Sequence, residues 1–188
     1  DALSLEQIPF ADGFDGGVTG WWNLESYEKD SINARVFKIH GSIDWCLIED
    51  DVLPRRIRSD LELRKKSEPV LIWPASTKYR ETQRDPYAQI LDKLRKTLRP
   101  SSNTEVVLTI VGYSFSDSHI NYELDRALKE SEGPLTVIAL TNKNQPEGLL
   151  KKWHNDPSLT EQVRVYSNNG YYHANKEITT EDDVVWWK

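Results

Sequence analysis

The stretch Glu105–Lys129 constrains the fold of this chain most, because it reads as a strand, a small-residue turn and a helix in direct succession. The segment Val106–Val111 is rich in apolar, β-branched residues, which favours a parallel strand that is covered on both faces. Gly112 ends the strand and is followed by side-chain oxygens that can cap a helix, on Ser114, Ser116 and Asp117. The apolar residues at helical spacing are Ile120, Leu124, Ala127 and Leu128. The stretch therefore predicts a buried strand that enters an amphipathic helix through a tight turn.

The turn that contains Gly112 and Ser114 is a candidate anion site. In an open α/β sheet such a turn lies at the carboxyl end of its strand, where helix N–H groups and the helix dipole can hold a phosphate. The same residues also fit a simple capped connection, because the segment lacks the full glycine pattern of dinucleotide-binding turns. From the residues alone, both interpretations stay open.

A second buried strand is predicted at Leu135–Leu140, after a turn at Gly133–Pro134. A right-handed crossover would place it parallel to the first strand. Asn142 follows its carboxyl end, where an amide can bind a ribose or a base, although asparagine is also an ordinary turn residue. The remaining local signals are a helix after Asp85–Pro86, a helix at Pro146–Trp153 and a strand at Gln162–Tyr166. Together they predict an α/β fold with a Rossmann-like parallel sheet flanked by helices.

His40 is the candidate for proton transfer. The run Arg35–Ile39 is predicted to be a strand, and it leads directly into His40 and Gly41. Sheet enzymes often present a catalytic side chain where a strand ends. Imidazole can accept and return a proton near neutral pH, so a general-base role and a purely structural role are both open for this residue.

Charge dominates the segment 50–68, in which basic residues are interspersed with acidic ones. This pattern predicts a solvated insertion, with a basic docking surface as the alternative. At the end of the chain, Asp182–Lys188 contains two valines and two tryptophans. We expect this apolar tail to pack on the domain or on a neighbouring molecule.

Composition restricts the class of protein further. A length of 188 residues suits one domain, and a net charge of -6 with a pI near 5.3 gives no general attraction to nucleic acid or acidic membranes. The single cysteine, Cys46, cannot form a disulfide framework or a four-cysteine zinc site within the chain, which is typical of the reducing cytoplasm. No stretch has transmembrane length and no signal peptide is evident. The chain begins with Asp1 and contains no methionine, so we expect it to start inside a longer protein.

Two motifs resemble a known family. KIHGSIDW (Lys38–Trp45) and VGYSFSDSHIN (Val111–Asn121) are similar to the paired signatures of the sirtuin-like NADase domains of bacterial anti-phage defence proteins. LIWP (Leu71–Pro74) lies between them as in that family, and DGF (Asp12–Phe14) matches a loop that precedes the histidine. The resemblance is clear over about residues 10–145 and loose after that.

The resemblance implies roles for particular residues. His40 matches the catalytic histidine, Gly112 and Ser114 match the turn that contacts the phosphates and ribose of NAD, and Asn142 is similar to the asparagine on the adenosine side. It also implies that a first strand, a glycine-rich phosphate loop and an asparagine-bearing motif lie upstream of Asp12. Residues 1–188 would then be the C-terminal portion of a single sirtuin-like NADase domain, with 50–68 inserted in it, and would be inactive alone.

The implied function is NAD+ glycohydrolysis, with NAD as substrate, no metal and His40 as general base. The implied setting is the bacterial cytoplasm, where such enzymes deplete NAD during anti-phage defence. Expected partners are the remainder of a longer chain or a defence-system protein, and further copies in a homo-oligomer; no membrane or direct nucleic-acid partner is expected. The alternative is a non-catalytic module that binds NAD or ADP-ribose or assembles an oligomer.

Overall fold

The computed structural model describes residues 3, 6–17, 19–58, 65, 67–72, 85–131, 133–174 and 176–179. The chain forms two compact units, Asp1–Leu94 and Arg95–Lys188. The division falls within a helix, α1, that runs from Tyr87 to Thr97. The assignment of 1–188 to one sirtuin-like domain stays a prediction.

Short strands build the first unit. In chain order they are β1 (Phe10–Ala11), β2 (Phe14–Asp15), β3 (Thr19–Trp22), β4 (Ala34–Arg35), β5 (Gly41–Leu47), β6 (Arg55–Ile57) and β7 (Glu68–Leu71), with a 3₁₀ helix at Leu24–Glu28. Within the described part, an antiparallel sheet has the order β2-β3-β6-β5-β7, and β1 pairs with β4 in parallel.

Aromatic rings fill the core of this unit. Phe14 contacts Trp22 and Trp45 at ring-centroid distances of 5.3 and 5.1 Å, and the two tryptophans are 5.8 Å apart. Alternation along β3 buries Trp22 and leaves Trp21 exposed, because successive side chains of a strand point to opposite faces. The aromatic core therefore packs against one face of this sheet.

The charged segment 50–68 departs in part from its predicted exposure. Arg56 lies in the sheet between β3 and β5 and is 4% exposed. Its guanidinium is paired with the buried carboxylate of Asp12, which makes burial of the charge tolerable. The expectation of a solvated stretch is thus wrong for Arg56 and Ile57, whereas Arg55 is exposed as expected. Residues 59–64 and 66 lie outside the described residues.

The second unit contains a sheet with three parallel strands. Its elements after α1 are β8 (Val106–Val111), helix α2 (Ser118–Glu130), β9 (Leu135–Leu140), helix α3 (Gly148–Asn155), β10 (Val163–Tyr166), β11 (Gly170–His173) and β12 (Lys176–Thr179). The described strands order as β12-β11-β10-β9-β8. β8, β9 and β10 are parallel, whereas β11 and β12 add antiparallel pairs.

The predicted parallel pairing of β8 with β9 is confirmed, with Val106 opposite Leu135 and Val111 opposite Leu140. The prediction that β8 is covered on both faces is wrong for the described structure. It is an edge strand, and Val107 and Val111 are 55% and 66% exposed. The fold is mixed α/β, and its Rossmann-like character is limited to the short parallel part of this sheet.

No helix in the described part of the chain is both long and apolar enough to cross a bilayer. The apolar tail Asp182–Lys188 and the end of the LIWP motif, Trp73–Pro74, lie outside the described residues.

Candidate functional site

The turn between β8 and α2 has an irregular main chain. Gly112 and Phe115 both have left-handed backbone angles, with φ of 68° and 56°. Asp117 occupies the N-cap position of α2, but its side chain makes no capping hydrogen bond. The side-chain hydroxyls of Ser114 and Ser116 form a hydrogen bond with each other, with 2.9 Å between the two oxygens. The turn is therefore not the simple side-chain-capped connection that the sequence left open.

A cavity of about 500 Å³ opens beside this turn. It lies at the carboxyl ends of β8 and β9, where ligands bind in parallel α/β sheets. Its lining combines the turn with the residues that follow the neighbouring strand: Val111, Gly112, Tyr113, Ser114, Leu140, Thr141 and Asn142. The structure thus brings together the predicted site residues Gly112, Ser114 and Asn142.

Asn142 is held through its main chain. The Nδ2 group of Asn168 donates to the Asn142 carbonyl at 2.8 Å, and Asn168 lies in the turn that joins β10 to β11. Because this bond uses the carbonyl, the side-chain amide of Asn142 stays exposed at the wall of the cavity. An exposed amide on a fixed backbone can both donate to and accept from a ribose or a base.

The turn also depends on two residues that the sequence analysis did not single out, Tyr113 and Asn121. The Tyr113 hydroxyl donates to Oδ1 of Asn121 at 3.0 Å, and Nδ2 of Asn121 donates to the Phe115 carbonyl at 2.7 Å. An asparagine four positions inside a helix is the available sequence signal, because asparagine is a weak helix former that prefers local bonds to the main chain.

His40 belongs to the first unit, where it precedes β5 in a turn. The prediction that it ends a strand at 35–39 is wrong, since β4 stops at Arg35. The physical reason is packing. Phe37 and Ile39 are partly buried against the aromatic core, and neither belongs to a strand. The His40 carbonyl accepts from the N–H of Ile72 at 2.9 Å, which fixes this turn against β7.

Charged side chains lie on both sides of His40 in the sequence, Lys38 before it and Asp44 after it. Lys38 donates to Oγ of Ser42 at 2.8 Å and lies 3.4 Å from Oδ1 of Asp44. Burial raises the pKa of Asp44, but the hydrogen bond from Ser42 and the charge of Lys38 outweigh it and hold that pKa below its usual value. Asp44 is therefore ionised at neutral pH.

The cavity suits one part of a dinucleotide. The small-residue turn at Gly112 and Ser114 leaves room for a ligand group close to the main chain, and the exposed amide of Asn142 suits a polar ring or sugar. Val111 and Leu140 add apolar lining. The described residues contain no group of three or more His, Cys, Asp or Glu placed to hold a metal ion.

The fold is that of an α/β protein with a cavity at the carboxyl ends of its parallel strands, which is where such proteins bind their ligands. The family model of the SIR2-like domain matches residues 1–160, and the chain belongs to this family. Membership indicates a function that involves NAD. No curated protein sequence matches the chain.

Proposed function

We propose that this chain is part of an NAD+ glycohydrolase, which converts NAD+ and water into ADP-ribose, nicotinamide and a proton. The observation that carries the proposal is the cavity lined jointly by the Gly112–Ser114 turn and Asn142. Membership of the SIR2-like family supports NAD as the substrate. The proposed setting is NAD depletion in the cytoplasm during bacterial anti-phage defence, in a homo-oligomer.

In this proposal the second unit binds the non-reacting parts of NAD. The turn at Gly112 and Ser114 holds the phosphates and a ribose, and Asn142 contacts the adenosine side. Binding energy from these remote groups keeps the reacting carbon in position, which lowers the barrier to reaction.

His40 is the proposed general base. It takes a proton from a ribose hydroxyl or from the attacking water while the bond between nicotinamide and ribose breaks through an oxocarbenium-like transition state. We propose that the same protein contains a glycine-rich loop and an asparagine-bearing motif, which the resemblance implies upstream of Asp12. We propose that such a segment completes the site, so that residues 1–188 alone bind ADP-ribose but turn over no NAD.

The test measures nicotinamide release by the 188-residue chain and by the longer protein that contains it. His40→Ala in the longer protein should lower the rate at least ~100-fold, which is the usual contribution of general-base catalysis. His154→Ala, which changes a half-buried histidine on α3, serves as the matched control and should keep the rate of the unmodified protein. Undiminished release by the His40 variant would remove the catalytic assignment.

A second candidate is a non-catalytic module that binds NAD or ADP-ribose. The observation in its favour is that every residue lining the cavity belongs to the second unit, whereas His40 belongs to the first. Calorimetric titration with ADP-ribose separates the two candidates. Binding by both proteins with no nicotinamide release from either would support the module and contradict the enzyme.

A further inference from the structure

Phe115 has a backbone conformation that its side chain disfavours. Its φ of 56° lies in the left-handed region, which glycine adopts freely but which bulky residues rarely occupy. Such a residue persists only where its surroundings hold it, and residues of this kind cluster at ligand sites. Phe115 follows Ser114 directly, so its conformation sets the path of the main chain next to the cavity.

The side-chain amide of Asn121 holds this turn from both sides. Its Nδ2 donates to the Phe115 carbonyl at 2.7 Å, and its Oδ1 accepts from the Tyr113 hydroxyl at 3.0 Å. Burial raises the pKa of Tyr113 to about 12, so the hydroxyl keeps its proton at neutral pH. The amide therefore links the residues on either side of Ser114 to helix α2.

Contacts between aromatic rings also hold the turn. The ring of Phe115 lies 4.7 Å from that of Tyr113 and 6.1 Å from that of Trp153, measured between centroids. Trp153 is buried on α3, and its Nε1 donates to Oδ1 of Asp125 at 2.8 Å. The ring of Phe115 thus packs against a buried, hydrogen-bonded tryptophan, while its carbonyl accepts a hydrogen bond from Asn121.

We infer that Asn121 is a positioning residue for the ligand of this cavity. By bonding the Phe115 carbonyl and the Tyr113 hydroxyl, it keeps the Gly112–Ser114 main chain in the shape that receives a diphosphate. Asn121 does not line the cavity itself, so it acts through the turn. The inference rests on the proposed function, since it takes the diphosphate of an ADP-ribose group as the ligand.

The first measurement is the affinity of the 188-residue chain for ADP-ribose, determined by calorimetry. Asn121→Ala should weaken binding at least ~10-fold, because loss of a preorganised turn adds an ordering cost to binding. Tyr113→Phe should have a smaller effect, since the bond to Phe115 remains. The matched control is Tyr122→Ala, one residue further along α2 at a side chain that is 61% exposed, and it should bind as the unmodified chain does.

A double-mutant cycle separates positioning from general destabilisation. Glycine at position 115 adopts positive φ without strain, and the bond from Asn121 survives this change because it goes to the main-chain carbonyl. Asn121→Ala should therefore weaken binding less in the Phe115→Gly chain than in the unmodified chain. Equal losses in the two backgrounds would overturn the claim that Asn121 acts by holding Phe115.

Hydrogen exchange without ligand gives an independent readout. Asn121→Ala should speed exchange of the amides in 112–117 and leave those of β9 and β10 unchanged. Unaltered exchange in the turn, or unaltered ADP-ribose affinity, overturns the inference. If the unmodified chain fails to bind ADP-ribose, the proposed function fails and the ligand role of Asn121 fails with it; faster exchange in the variant would then mark Asn121 as a support of the turn alone.

Discussion

Arg56 and Asp12 form a buried ion pair, although they lie 44 residues apart in the sequence. Nη1 of Arg56 lies 2.5 and 2.6 Å from the two carboxylate oxygens of Asp12. Nη2 of the same guanidinium donates to the carbonyls of Gly16 and Gly17 at 2.7 and 2.9 Å. One side chain on β6 therefore fixes the whole glycine-rich loop that begins with the DGF motif.

We expect Asp12→Ala to lower the free energy of unfolding by about 3–5 kcal/mol, because it leaves the buried Arg56 charge without its partner. Urea unfolding followed by tryptophan fluorescence measures this change. The matched control is Lys29→Ala, which removes an ion pair to Asp15 from a lysine that is 52% exposed. It should cost less than about 1 kcal/mol. Similar losses in the two variants would contradict a special role for the buried pair.

Gly41 is the glycine that follows His40, and we expect it to tolerate no side chain. Its φ is +79°, and an added Cβ would collide with the Val70 carbonyl and lie 2.8 Å from the Tyr87 hydroxyl. Gly112 has a similar φ of +68° but open space around the Cβ position. Gly112→Ala should cost about 1 kcal/mol of conformational energy, and Gly41→Ala distinctly more, because strand β7 must move. Thermal unfolding of both variants tests this order, and equal shifts would contradict it.

Glu123 makes the stability of the second unit depend on pH. The hydrogen bond from Arg95, at 2.7 Å, is the largest cause that lowers the pKa of this carboxyl. Its stabilising contribution is present above the carboxyl pKa of the unfolded chain and is lost as pH falls through the lower pKa of the folded chain. Glu123→Gln should cost about 1 kcal/mol at neutral pH and flatten the acid limb of the stability curve. Urea midpoints from about pH 7 to about pH 3 measure the slope.

The control for this experiment is Glu161→Gln, at a side chain that is 82% exposed. Its acid limb should follow that of the unmodified chain. A Glu123→Gln curve that keeps the original slope would show that the pair with Arg95 contributes nothing to acid sensitivity.

A substitution at Ser114 tests whether the cavity binds a negatively charged group. The side chain is exposed at the turn, so Ser114→Asp should leave the unfolding midpoint nearly unchanged. A new carboxylate close to a bound diphosphate should weaken ADP-ribose binding at least ~10-fold, with the loss reduced by added salt. Ser102→Asp, at an exposed position before β8, is the matched control with the same change in net charge. Equal affinity of the two variants would argue against a phosphate at the turn.

The sequence predicted the elements whose signals are local. The helix after Asp85–Pro86 is observed as Tyr87–Thr97, and the strand expected at Gln162–Tyr166 is observed as Val163–Tyr166. The positions of Gly112, Ser114 and Asn142 after adjacent strands sufficed to place them around one cavity. These predictions depend on periodicity and on the turn residues between elements, which a sequence displays directly.

Contacts between distant segments were not predictable in this way. The run at 35–39 has strand propensity, but after Arg35 it forms no strand, because Phe37 and Ile39 pack against an aromatic cluster. The charges of 50–68 suggested solvent, but Asp12 was available to bury Arg56. Such contacts override the local preference of a segment for a strand or for solvent, because burial and pairing contribute larger free energies than a single residue's preference does.

The sequence by itself determined the order of strands and helices from β8 to β10, the motifs that point to NAD, and three of the residues that surround the cavity. The tertiary structure decided that β8 is an edge strand, that Arg56 is interior and that His40 precedes its strand. It also decided that an asparagine of α2 holds Phe115 in a left-handed turn. The division follows from the range of the forces: backbone preferences act between near neighbours in the chain, whereas the pairing of buried groups depends on which distant segments meet.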